Sequence, residues 1–148
     1  MSDPKLRLPT PKLTNHPVDV GQRSEAAILS ELVRRGYSVL LPFGVNQRYD
    51  LVLDLGDRYI KAQCKTGRLR NGVVLFSTKS VQCNTRRTVV KNYDGDADVF
   101  LVYCPDIGRV YCVPVEEAPI GYMYLRVKPT LNGQEHGVNW ASHYELPA

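Results

Sequence analysis

The sequence predicts an α/β domain, and three observations predict it. Between Gly21 and Arg35, Ile28, Leu29, Leu32 and Val33 recur at helical spacing and form one apolar stripe. Short apolar or alternating runs with the period of strands recur from Tyr37 to Val127. Two of those runs flank Gly56-Asp57, a two-residue hairpin signal in which Gly takes positive φ without steric cost. A chain of 148 residues suits one domain with a sizeable core, and its mixed charge is that of a globular protein.

Residues Met1 to about Val20 carry Pro4, Pro9, Pro11 and Pro17, which exclude a continuous helix. They are expected to form an extended arm (1–20) ahead of a single domain over 21–148. Lys5, Arg7 and Lys12 could touch phosphates, but a frayed terminus is the simpler account of them. The helix is expected to start at Gly21 or Ser24 and to end at Gly36 in a left-handed cap. Glu25 precedes Ile28 and Leu29 by three and four residues, which puts it near the buried side. An acid there can serve a cation, or merely complement the helix dipole. Arg23 is a candidate nucleic-acid contact on the same turn.

Tyr37–Phe43 reads as the first strand. The polar loop Gly44–Arg48 offers Asn46, Gln47 and Arg48, side chains suited to base edges or phosphates. The hairpin follows. Leu51–Leu53 is one arm, and Ile60, Ala62 and Cys64 alternate with Tyr59, Lys61, Gln63 and Lys65 along the other. Counting out from Gly56-Asp57 sets Leu55 against Arg58 and Asp50 against Gln63, on one sheet face, with Lys65 two residues further on that face. Val73–Phe76 is expected as a third rung beyond this hairpin. Ser77–Asp96 is expected to be a loop with room for a short helix, following a nucleic-acid backbone through Lys79, Arg86, Arg87 and Lys91. Ala97–Tyr103, Val110–Val115 and Tyr122–Val127 complete the strands.

The net charge of +4 hides an asymmetry. From Arg58 to Lys91 there are nine Lys or Arg and no Asp or Glu, whereas the other ten basic residues face all fifteen acids. That points to a polyanion, with a solvated loop face as the alternative. The four cysteines form no CxxC pair and no cluster with the three histidines, which argues against zinc and fits buried thiols in a reducing compartment. No apolar run approaches the roughly 18 residues of a membrane span, and no apolar signal-peptide core is present, so the cytoplasm is the expected location.

Glu25, Asp50, Gln63 and Lys65 together resemble a cation site. Mg²⁺ takes oxygen ligands and keeps several waters beside one or two carboxylates. Asp50 offers a carboxylate, Gln63 an amide oxygen and Cys64 its backbone carbonyl. Glu25 joins if its helix packs over this sheet face. Lys65 would orient the attacking water or offset charge on phosphorus. The alternative is an ordinary ion pair between Asp50 and Lys65.

Glu25, Tyr49-Asp50 and Gln63-Cys64-Lys65-Thr66-Gly67, in this order, resemble the PD-(D/E)XK nuclease superfamily. Within it the chain is most similar to the group I intron-associated homing endonucleases. The likeness runs on through the Asp98–Pro114 strand pair and the Leu125–Tyr144 segment. It implies a restriction-endonuclease-like α/β core, a mixed central β-sheet flanked by helices. It also implies Mg²⁺-dependent hydrolysis of double-stranded DNA, with Mn²⁺ as a possible substitute, by a homo-oligomer (dimer or tetramer). Asp50 would be the central metal ligand, Lys65 the catalytic lysine and Glu25 the helix-borne acid. Gln63 stands where an acidic ligand is usual. A junction-resolving nuclease shares the same core, and a non-catalytic DNA-binding protein on this scaffold is the third reading.

Overall fold

The computed structural model describes residues 6–44, 47–83, 88–91 and 96–147, without side chains at 80–83 and 88–91. In chain order the elements are helix α1 (Pro17–Arg34), β1 (Ser38–Leu40), β2 (Leu51–Asp54), β3 (Tyr59–Thr66), β4 (Arg68–Arg70), β5 (Val73–Ser77), β6 (Ser80–Cys83), β7 (Thr88–Lys91), β8 (Val99–Cys104), β9 (Arg109–Pro114) and β10 (Tyr122–Arg126). Single 3₁₀ turns lie at Val115–Glu117 and Ala141–Tyr144.

Helix α1 starts four residues earlier than its stripe predicts. Pro17 sits in the first turn, where its missing N–H costs no intrahelical bond, and His16 caps that turn by accepting from the Val18 N–H. Residues 17–20 therefore belong to the helix and not to the arm. Ser24 does not cap. It is buried with Ile28 and Leu32, one residue per turn, and its hydroxyl bonds Thr66 Oγ1 at 2.6 Å.

The central sheet is mixed, as expected, in the order β1-β2-β3-β8-β9. Only β3 and β8 are parallel; its other neighbours are antiparallel. A parallel pair needs a long crossover, and the described residues between 67 and 98 supply it with strands. There β4 and β5 join β10 in a second sheet, in the order β10-β5-β4, and β6 pairs with β7. Two expectations fail at this point. Strand β5 is not a third rung of the hairpin, because β8 takes that edge of β3. The stretch expected as a loop carries β6 and β7, whose side chains lie outside the described residues.

Helix α1 covers one face of the central sheet, where Ile28 and Leu32 meet Leu51, Leu53, Ala62 and Leu101. The second sheet covers the other, where Val74, Phe76, Met123 and Leu125 meet Phe100, Val102, Tyr111 and Val113. Gly67 lies tightly between the two sheets. Its N–H donates to the Tyr103 carbonyl at 2.7 Å, and a Cβ there would fall 2.7 Å from Val74 Cγ1 and 3.1 Å from Val102 Cγ1. Both valines are fully buried and β-branched, so neither can turn away. Gly67→Ala is therefore expected to destabilise the fold by about 1–3 kcal/mol, as overpacking does. A lower urea midpoint with an unchanged slope checks this.

Candidate active site

The site begins where β2 and β3 part. The hairpin register is the one counted from its turn: Leu55 N–H donates to Arg58 O at 2.9 Å, and pairing runs from Asp54–Tyr59 to Leu51–Ala62. It stops one step short of Asp50–Gln63. Asp50 instead donates its N–H to the Ala62 carbonyl at 2.8 Å. Strand β3 continues to Thr66 with β8 on one edge and β2 gone from the other. A strand N–H left by its neighbour needs another acceptor. For Cys64 that acceptor is Asp50 Oδ2, at 2.7 Å. In a strand the N–H and C=O of one residue leave by the same edge, so the Cys64 carbonyl opens into this fork too.

The two candidate side chains on β3 do not lie under the helix. Ala62 and Cys64 face α1, so Gln63 and Lys65 turn toward the second sheet, beside their register partners Phe100 and Val102. Lys65 Nζ stands 5.8 Å from the Phe100 ring centroid and donates to the Lys79 carbonyl at 2.9 Å. Packing of α1 over the Gln63–Lys65 face, the arrangement expected to bring in Glu25, is therefore not found. Glu25 reaches Asp50 around the open end of the hairpin. The two line a cleft of 260 Å³ with Leu41, Pro42, Gly44, Gln47 and Tyr49. Asp50 thus links the halves, with Glu25 on the helix side and Lys65 on the other.

The electrostatics follow this placement. Burial raises the Asp50 pKa, against the Cys64 N–H bond and the attraction of Lys65. Burial and then the Asp50 charge raise that of Glu25. Neither carboxylate joins an ion pair among the described residues. Burial lowers Lys65 to about 8; Asp50 opposes that shift and Arg48 adds to it. Burial pushes the Cys64 thiol up, with Asp50 and Glu25 adding to the shift, so this sulfur stays protonated and inert. Asp50, Glu25, Gln63 Oε1 and the Cys64 carbonyl are all oxygen donors, the kind a hard divalent cation takes. Two carboxylates whose pKa values burial raises, Glu25's further by the Asp50 charge, suit a cation placed between them.

The remaining candidates are spread more widely. Arg23 is exposed and donates to the Thr14 carbonyl at 2.8 Å, tying the arm to the helix. Gln47 lies at the mouth of the cleft. Arg48 is half-buried against Asp96 at 3.4 Å, and its charge helps lower the Lys65 pKa. Lys79 stacks 5.0 Å over the Tyr122 ring. Asn46, Arg86 and Arg87 lie outside the described residues, as does the side chain of Lys91. Sequence reasoning missed the Ser24–Thr66 hydroxyl pair, which pins the helix turn carrying Glu25 to the end of β3. A Ser four residues ahead of Ile28 on the stripe was the available signal.

The model of the PD-(D/E)XK endonuclease family matches residues 15–147. The chain belongs to that family. Its fold is similar to that of a bacterial homing endonuclease, I-Ssp6803I, with 21% identity, a TM-score of 0.71, and coverage of 87% of this chain and 88% of that one. Among curated proteins nothing matches. A PD-(D/E)XK protein is a nuclease, and such nucleases typically use divalent metals. No helix among the described residues is long and apolar enough to cross a membrane.

In this PD-(D/E)XK fork the raised Asp50 pKa has a stability consequence. A carboxyl whose folded pKa exceeds its unfolded one favours the fold below the unfolded value, and that contribution is lost as pH rises through the folded value. Asp50→Asn keeps an acceptor for the Cys64 N–H and drops the charge. In the presence of a chelator the variant is expected to melt above the parent at neutral pH. The gain should shrink toward acid pH, where the parental carboxyl is protonated. Thermal melts across that range read it directly.

Proposed function

We propose that this nuclease hydrolyses phosphodiester bonds of double-stranded DNA with Mg²⁺, as a homing-type endonuclease that works as a homo-oligomer. The observation that carries the reading is Asp50 at the fork, held by the Cys64 N–H at 2.7 Å and coupled to Glu25 on one side and Lys65 on the other. Support for the homing type comes from the ordered residue set and the I-Ssp6803I-like fold. The homo-oligomer follows from the resemblance to the homing endonucleases.

Asp50, Gln63 Oε1 and the Cys64 carbonyl are the ligands in this reading, with Glu25 binding directly or through water. A divalent cation held there supplies Lewis acidity and lowers the pKa of an attacking water. The water oxygen would bond to phosphorus as one ester P–O bond breaks; the attacking water gives up a proton to solvent, and the departing oxygen takes one from solvent and leaves as a hydroxyl. Lys65 is anchored by the Lys79 carbonyl, so its Nζ is held in one place beside Asp50. A pKa of about 8 leaves most of it cationic at neutral pH, where it offsets charge building on the phosphoryl oxygens. Gln63 lowers the carboxylate count by one relative to a D…ExK set. That weakens cation binding and limits repulsion in a site whose acids already carry raised pKa values.

Two substitutions test this on supercoiled plasmid with and without Mg²⁺. Lys65→Ala should cut at least about 10²-fold more slowly while binding duplex DNA as before. Parental cleavage by that variant would remove the mechanism. Gln63→Glu should reach half-maximal cleavage at a Mg²⁺ concentration several-fold lower than the parent. An unchanged requirement would take Gln63 out of the ligand set.

A further inference from the structure

The β4–β5–β10 sheet buries one face; the other carries exposed side chains, with Pro17, Val20 and Gly21 of α1 across a cleft from Arg68, Leu75 and Tyr122. Val74, Phe76, Met123 and Leu125 point into the core. Alternation then turns two cross-strand rows outward, Arg68–Leu75–Tyr124 and Arg70–Val73–Arg126. Neither row contains an acid. Tyr122 and Tyr124 keep 50% and 59% of their surface exposed, so this face combines arginine with aromatic area.

Its two ends differ. Tyr122 lies beneath the Lys79 ammonium, and the Lys79 carbonyl receives Lys65 Nζ, so one end abuts the fork. The other closes in the Asn71-Gly72 turn, where Arg126 reaches the Asn71 carbonyl at 3.5 Å. A groove of 870 Å³ continues past that turn among Asn71, Lys128, Asn132 and Gln134. The Leu69 N–H on β4 is taken by Asp106 Oδ2 at 2.9 Å, which blunts that edge against strand addition by another chain.

We infer that this face is the base-reading surface of the enzyme, lying in the DNA major groove with its Tyr122 end beside the scissile phosphate. The inference rests on the DNA-endonuclease reading above and adds the surface and the residues. Dimensions and chemistry both favour it. The major groove, about 12 Å wide, admits a two-stranded β-ribbon, and β4 and β5, about 4.8 Å apart, supply one. Same-face residues along a strand are about 6.8 Å apart, close to two base-pair steps of about 3.4 Å. Arg68 and Arg70 therefore meet bases two steps apart. Arginine reads guanine through O6 and N7, whereas asparagine and glutamine at the far groove suit adenine.

The test incubates the full chain and Mg²⁺ with a pool of duplexes carrying a randomised segment and sequences the cut products. The parent should show base preferences over several positions near the cut. Arg68→Ala and Arg70→Ala should each lose preference at a different position, two base pairs apart, by about 5- to 150-fold. Cutting of the pool as a whole should persist. Arg109→Ala, at an arginine paired with Glu145 at 3.6 Å on β9, should keep the parental preferences. Matching melts of all three variants would show that the fold is retained. Parental preferences in the Arg68 and Arg70 variants would overturn the inference. So would a uniform loss at every position with a shallower salt dependence, since that marks phosphate contacts alone. A parent that neither binds nor cuts the pool would instead overturn the DNA-endonuclease reading beneath it.

Discussion

Where β2 leaves β3, the Cys64 N–H loses its ladder partner, and the Asp50 carboxylate takes it at 2.7 Å. Most of the site follows from that exchange. The bond holds a desolvated carboxylate in an opening that the sheet itself creates, with the Cys64 carbonyl on the same edge. Without it Asp50 would be a flexible residue at a strand end, and nothing would tie Glu25 and Lys65 to a common centre. The bond also lowers the Asp50 pKa against the upward push of burial, which favours the ionised form that a cation needs.

The fork works because the central sheet is covered differently on its two faces. Ile28 and Leu32 hold the helix against Ala62, and the Ser24–Thr66 hydroxyl bond fixes its upstream turn over the end of β3. Glu25, one residue further along, is thereby delivered to the fork from the helix side. On the opposite face Phe100 and Lys79 hold Lys65. Two rigid supports on opposite faces thus aim at one carboxylate. Gly67 lets the second sheet come close enough to provide the latter support, since any side chain there would press on Val74.

The hairpin was legible because a two-residue turn fixes register by counting, and each residue on either arm then has a determined face. Asp50, Gln63 and Lys65 could be named on that basis alone. The early start of α1 was not legible, because Pro17 reads as a helix breaker unless it happens to occupy the first turn. The partner of β5 was equally hidden. A period of two shows which side chains share a face and says nothing about which strand comes alongside. Counting also could not show that pairing would stop at Leu51–Ala62. Continued pairing would have set Asp50 flat against Gln63, whereas its departure turns the carboxylate onto the Cys64 backbone. For the same reason the sequence located Glu25 near a buried face without revealing that it would be the face opposite Gln63.

Charge explains why a neutral Gln63 is tolerable in such a site. Burial already raises the pKa of Asp50 and of Glu25, and the Asp50 charge raises that of Glu25 further, so a third carboxylate at position 63 would add repulsion whenever the cation is absent. An amide keeps an oxygen for the cation at no such cost. It also spares an approaching phosphodiester one more negative charge at the point where its own must be accommodated. The cationic neighbours lie on the far side of Asp50 from the helix: Lys65 on β3, Lys79 after β5, and the arginine rows of the second sheet. In the proposed reading, a polyanion entering from that side would meet positive charge first and the two carboxylates last.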